Sequence, residues 1–253
     1  MKQIFALIGS RRKEGYTKKF VQDIYNKLDK NEFGIEYAHP QDFNIEFCRG
    51  CGQCFVTTKC LLQDDLKILQ EKILDSDIFI IASPVYLHYM TADLKAILDR
   101  MSWWAHTLRL QGKPVVVLST CSSNGYKTAI EALGKIITFM GGNVIASSNA
   151  SQMPNQINNK KWLDEVTEEI AQRINKASAL EEQSNQYIET VFKSTKSSML
   201  RQEETAKQFS VELGEVKYWR DSGMIDCSSF QEYLDKKRIG VRKKYEGSIS
   251  AAE

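Results

Sequence analysis

Apolar residues in the first 150 positions fall into short unbroken runs separated by stretches of helical period. QIFALI (residues 3–8), DIFIIA (77–82) and the segment 114–119 are nearly continuous apolar runs, as expected of strands covered on both faces of a parallel sheet. GIEYA (34–38) and residues 143–148 supply a second and a last strand. Between them, apolar residues recur at spacings of three and four over 18–28, 64–74, 91–104 and 127–140, predicting helices. Asp64 and Asp65 stand in the first turn of one helix, where they complement its dipole, and Gly141-Gly142 ends another. The order β-α-β-α-β-α-β-α-β predicts the α/β class, with a three-layer, doubly wound, five-stranded parallel sheet.

After Pro154 the pattern changes. Residues 160–213 contain neither proline nor glycine and are rich in Glu, Gln, Lys and Ala, which predicts long helices. The chain is therefore divided into a domain over 1–180 and a mainly helical C-terminal extension over 181–253. Tyr218, Trp219, Met224, Phe230, Tyr233 and Leu234 give the extension an apolar surface, which must pack on the domain or on a partner subunit. We expect it to lie across a partner in a homodimer or homotetramer, and Ser248–Glu253 to fray.

Charge and composition narrow the partners. Lys plus Arg number 34 and Asp plus Glu 32, a net charge of +2, so no electrostatic attraction to nucleic acid or anionic lipid is expected. Small molecules and proteins remain. The apolar start, Met1–Ile8, is too short for a secretory h-region, and no later run approaches the ~18 apolar residues of a membrane span. The expected location is cytoplasmic, where the six cysteines would be free thiols or metal ligands instead of disulfides.

Three polar loops follow the first, third and fourth strands, on the edge where open parallel sheets bind ligands. The first, GSRRKEGYT, offers the hydroxyls of Ser10 and Thr17, the guanidinium of Arg11 or Arg12, and Gly15 before a helix. This combination suits a phosphate, although an ordinary capped turn would use similar residues. The second, beginning Ser83-Pro84-Val85-Tyr86, presents an aromatic ring where a flat heterocycle fits. His88 there could donate to a ligand or be a surface histidine. The third, Thr120-Cys121-Ser122-Ser123-Asn124-Gly125, combines small side chains with a glycine that permits close backbone approach.

Four cysteines crowd into thirteen residues as C-x2-C-x2-C-x5-C: Cys48, Cys51, Cys54 and Cys60. Four soft thiolates in one loop suit an iron-sulfur cluster. Zinc is the nearest rival, though its ligands usually come as two separated pairs; a metal-free loop is the third reading. Trp103 and Trp104 are expected at a subunit contact, Asp99-Arg100 as a structural and interface ion pair, and Tyr218-Trp219 in core packing.

Over residues 1–155, the segments GSRRKEGYT, SPVYLHYMTADLKAILDR and STCSSNG resemble the NADPH-dependent FMN reductase superfamily, which is flavodoxin-like. The cysteine motif is most similar to that of its iron-sulfur flavoproteins. The resemblance implies that FMN is bound: Ser10, Arg11 or Arg12, Gly15 and Thr17 would hold its phosphate. Ser83, Pro84, Val85 and Tyr86 would flank the ring, and Thr120, Ser122, Ser123, Asn124 and Gly125 would cover its edge. Arg11 stands where relatives often carry proline. The four cysteines would ligate a 4Fe-4S cluster. The implied activity is a flavin-dependent oxidoreductase that draws electrons from NAD(P)H or reduced ferredoxin and passes them to a small acceptor such as a quinone, a metal ion or an organic intermediate. The alternative is an electron carrier that serves a partner protein.

Overall fold

The alternating apolar runs form five parallel strands: β1 (Lys2–Ile8), β2 (Phe33–Ala38), β3 (Ile78–Pro84), β4 (Pro114–Cys121) and β5 (Asn143–Ser151). In the computed structural model their order is β2-β1-β3-β4-β5, the flavodoxin-like arrangement. The structure describes residues 1–249, with side chains to residue 239. The fraying expected of Ser248–Glu253 thus falls mostly on 250–253, outside the described residues.

Two apolar layers sandwich the sheet. On one face Ile4, Ala6 and Ile8 pack with Phe20 and Ile24 of α1 (Tyr16–Tyr25) and Ile170 and Ile174 of α7 (Lys160–Ser178). On the other, Phe5, Leu7, Phe79 and Ile81 meet α3 (Leu66–Asp75), α4 (Ala92–Arg100) and α6 (Tyr126–Phe139). Strand alternation sends successive side chains to opposite layers. Because the helices after β1 and β3 lie on opposite faces, a crevice opens between the carboxyl ends of these neighbouring strands.

The expected helix over 91–104 is two helices, because Met101 leaves helical geometry and closes α4. The short α5 (Trp103–Thr107) follows and turns Trp103 and Trp104 into the core of their own chain. These tryptophans are therefore not a subunit contact. Within the cysteine loop a further one-turn helix forms, α2 (Gln53–Thr57).

The extension comprises α8 (Gln186–Gln208), α9 (Gly214–Asp221) and α10 (Phe230–Ile249). Ile188, Phe192, Trp219, Met224, Phe230 and Leu234 form a third core, which also includes Leu108 from the end of α5. Its apolar face is thus used within the chain, so burying it needs no partner subunit. The α9 helix rests on α2, with Gly214 so close to Val56 that a β-carbon there would overlap the Val56 carbonyl oxygen. None of the described helices is long and apolar enough to cross a membrane.

Candidate functional site

The loops after β1, β3 and β4 are tied to one another by hydrogen bonds. The Thr91 hydroxyl donates to the Gly9 carbonyl (2.7 Å), and the Thr91 amide donates to Ser83 Oγ (3.1 Å), joining the first loop to the second. The Val85 amide donates to the Thr120 carbonyl (2.8 Å), and the Thr17 and Thr120 hydroxyls lie 2.7 Å apart, bringing in the third. These bonds fix the edge as a unit.

At the phosphate end, α1 begins at Gly15, which has no side chain to cap the first-turn N–H groups. Free first-turn N–H groups, hydroxyls such as those of Ser10 and Thr17 and a nearby cation are the groups an anion needs, although here both hydroxyls are buried and that of Thr17 pairs with Thr120. The Ser10 hydroxyl accepts from the Arg12 amide at 3.2 Å. Arg11 is committed elsewhere: its guanidinium grips both oxygens of Asp93 at 2.8 Å, and that bond holds the Asp93 carboxyl below the usual range. Arg12 has no ion-pair partner among the described residues, so of the two arginines it is the uncommitted one. His39, which the sequence did not single out, braces the loop from below. Its Nδ1 lies 2.7 Å from the Ser10 carbonyl oxygen, and since a carbonyl can only accept, Nδ1 carries the proton.

The second and third loops expose apolar and aromatic side chains. Tyr86 and Leu87 of the second loop are exposed, Leu87 at 96%, and Tyr126 is exposed next to Gly125. An apolar cluster of this kind is the surface a planar ligand would cover. Tyr86 and Tyr89 exchange backbone hydrogen bonds of 2.9 and 3.0 Å around a tight turn whose central residues, Leu87 and His88, both have positive φ. Gly125, at φ +80°, packs beneath this turn, and Ser122, Ser123 and Asn124 stand exposed beside it. Ser83 is fully buried, and its hydroxyl donates to the Pro84 carbonyl while accepting from Thr91. It shapes the second loop from inside.

Cys48, Cys51, Cys54 and Cys60 line one cavity of about 400 Å³, together with Arg100 and Ser102. The turns that bring them there pass through Gly50 and Gly52, both at positive φ. Burial, with Cys60 and Cys48 nearby, pushes the Cys54 thiol up. Among the described residues no three His, Cys, Asp or Glu side chains converge to hold a single ion. The four cysteines therefore share one cavity without forming a ready-made ligand set there. Arg100, expected to pair with its neighbour Asp99, instead pairs with Asp64, while Asp99 pairs with Lys95.

Residues 2–156 match the family model described as NADPH-dependent FMN reductase. The chain belongs to that family. It is 36% identical over 107 residues to an iron-sulfur flavoprotein of Archaeoglobus fulgidus, an overlap covering 42% of this chain and 49% of the relative. It is 28% identical over 178 residues to an iron-sulfur flavoprotein of Clostridioides difficile, covering 69% and 76% respectively. The fold is similar to that of RosB with its bound intermediate 8-demethyl-8-formylriboflavin-5'-phosphate (TM-score 0.58, 14% identity, 71% of this chain and 79% of that one). It also resembles a flavone reductase (TM-score 0.57, 15% identity, 72% and 66%).

The family match ends before α7, so the extension lies outside it. One link between the extension and the cysteine loop is His106 on α5. Its Nδ1 lies 2.9 and 3.0 Å from the two oxygens of the buried Glu215 on α9. Its ring stacks on Phe55 of α2, centroids 5.1 Å apart. The hydrogen bond that His106 donates to the Glu215 carboxylate raises the His106 pKa above its ordinary 6.5. Stabilisation from a raised pKa is complete below the unfolded value and disappears as pH rises through the folded value. Amide exchange over 214–221, corrected for intrinsic rates, should therefore accelerate as pH climbs above 6.5. In His106→Gln that pH dependence should be absent.

Proposed function

We propose that this chain is an FMN-dependent oxidoreductase that reduces a small acceptor, with an iron-sulfur cluster on Cys48, Cys51, Cys54 and Cys60 relaying electrons. NAD(P)H or a reduced ferredoxin would be the source. The observation that carries the reading is the single edge formed by three hydrogen-bonded loops, with the uncommitted Arg12 on the first and exposed aromatic residues on the second and beside the third. When bound, FMN supplies hydride or single-electron chemistry and a cluster supplies one electron at a time. Arg12, Ser10, Thr17 and the start of α1 bind the phosphate and so set the position of the ring. Val85, Tyr86 and the Gly125 loop orient the ring, and Tyr86 and Leu87 keep water from it. The iron-sulfur flavoprotein names of the relatives support the cluster, as does the cavity shared by the four thiols.

A second reading has its own support. Cys48 and Cys51 are exposed, as a centre that exchanges electrons with a partner protein would be. Anaerobic stopped-flow mixing separates the two. Direct bleaching of the flavin by NADH or NADPH is expected for the oxidoreductase, whereas bleaching by reduced ferredoxin alone would favour the carrier.

A further inference from the structure

Arg100 closes α4, and its guanidinium is almost completely buried, at 2% exposure. Burying an arginine is costly unless its charge is paired and its N–H groups are satisfied. Asp64, equally buried, supplies the charge: its oxygens lie 2.8 and 3.2 Å from the two terminal nitrogens. The Glu46 carbonyl accepts a further bond at 2.6 Å. Asp64 also accepts from the amides of Glu46 (2.9 Å) and Leu66 (3.1 Å). Arg100 and Asp64 thus pin together the two ends of the segment that carries the cysteines.

A further donor, Nε–H, points at Cys60 Sγ from 3.3 Å. A neutral thiol is a weak acceptor, a poor partner for a buried guanidinium N–H. A sulfur carrying negative charge is a good one, because hydrogen bonds between charged groups are roughly twice as strong. The backbone repeats the pattern on a smaller scale, with the Gly50 amide donating to Cys48 Sγ at 3.4 Å.

We propose that Arg100 is a positioning residue of the four-cysteine site, its Nε–H fixing the Cys60 sulfur and its charge raising the reduction potential of the cluster held there. The proposal rests on the reading of these cysteines as cluster ligands. The reduced cluster carries one more negative charge than the oxidised one, so a cation and a donor at a ligand sulfur favour the reduced state. A purely mechanical role, in which Arg100 only closes the loop, would leave the potential unchanged in any variant that keeps its cluster.

The test is an anaerobic redox titration, with dithionite as reductant, of the full-length protein and two variants, alongside iron and FMN content. Arg100→Lys keeps the charge opposite Asp64 but loses the Nε–H and the planar fork. Arg100→Gln combined with Asp64→Asn removes both buried charges, so neither is left unpaired. The double variant should lower the midpoint by the equivalent of about tenfold in the electron equilibrium, about 59 mV for a one-electron couple. Arg100→Lys should fall between it and wild type. Loss of iron from both variants with FMN retained is what loop closure alone predicts and would overturn the claim on the potential. Full iron content with an unchanged midpoint in both would overturn it. A wild-type protein that takes up no iron would instead overturn the cluster reading on which it stands.

Discussion

Replacing Gly125 with valine should strip the flavin from the protein while leaving it folded. Gly125 sits at φ +80°, and a β-carbon there would lie 2.8 Å from Val85 Cγ1 and 2.9 Å from the backbone Cα of His88. The left-handed conformation costs a non-glycine residue about 1–2 kcal/mol, and forced overpacking adds about 1–3 kcal/mol. The second and third loops can relieve the contact only by moving apart, which opens the edge where the ring would lie. If about 3 kcal/mol of this strain falls on the bound geometry, FMN affinity drops on the order of 100-fold. Fluorescence titration of the apoprotein with FMN reads this directly. Gly134→Ala is the control, because a β-carbon there meets nothing within 4 Å, and removing a mid-helix glycine should stabilise α6 by about 1 kcal/mol. Wild-type FMN affinity in the valine variant would show that the ring does not lie between these loops.

The sheet was legible in the sequence because its signal is local. Each of QIFALI, DIFIIA and the 114–119 run is too apolar to face water on either side, and polar loops punctuate them at the carboxyl edge. The same locality revealed the three loops and the cysteine spacing. What stayed hidden depends on contacts between distant segments. Thr91 reaches Gly9, His39 reaches Ser10, and Arg100 passes over its neighbour Asp99 to Asp64, 36 positions away. Arg11 and Arg12 are chemically equivalent as a sequence; only the position of Asp93 separates them. The tryptophans at 103 and 104 turned inward because α4 closes at Met101, a break that helical periodicity through 91–104 conceals. The destination of the extension was hidden for the same reason: amphipathic helices advertise an apolar face without naming what covers it.

Trp219→Ala should cause the second large effect, and it should be felt at the cysteine loop. Trp219 is fully buried, stacks on Phe192 with centroids 5.2 Å apart, and donates its Nε1–H to the His106 carbonyl at 2.7 Å. Truncating a buried tryptophan costs about 3–5 kcal/mol, and the His106 carbonyl loses its partner as well. In a chain of this size such a loss should lower Tm by roughly 10 °C, measured by calorimetry. Because α9 rests on α2 through Gly214 and Val56, and His106 stacks on Phe55, loosening the extension should also free the helix that contains Cys54. Iron transfer to an added chelator should therefore accelerate, while FMN content, which depends on the loops after β1, β3 and β4, stays near wild type. A large drop in Tm with an unchanged rate of iron loss would mean that the extension packs beside the cysteine loop without supporting it.

The most direct measurement is the FMN and iron content of full-length protein prepared and reconstituted without oxygen. About one FMN and about four iron atoms per chain are expected from one flavin edge and four cysteine ligands. Protein that holds FMN but no iron would contradict the cluster at Cys48, Cys51, Cys54 and Cys60, and protein that holds no FMN would contradict the flavin edge itself.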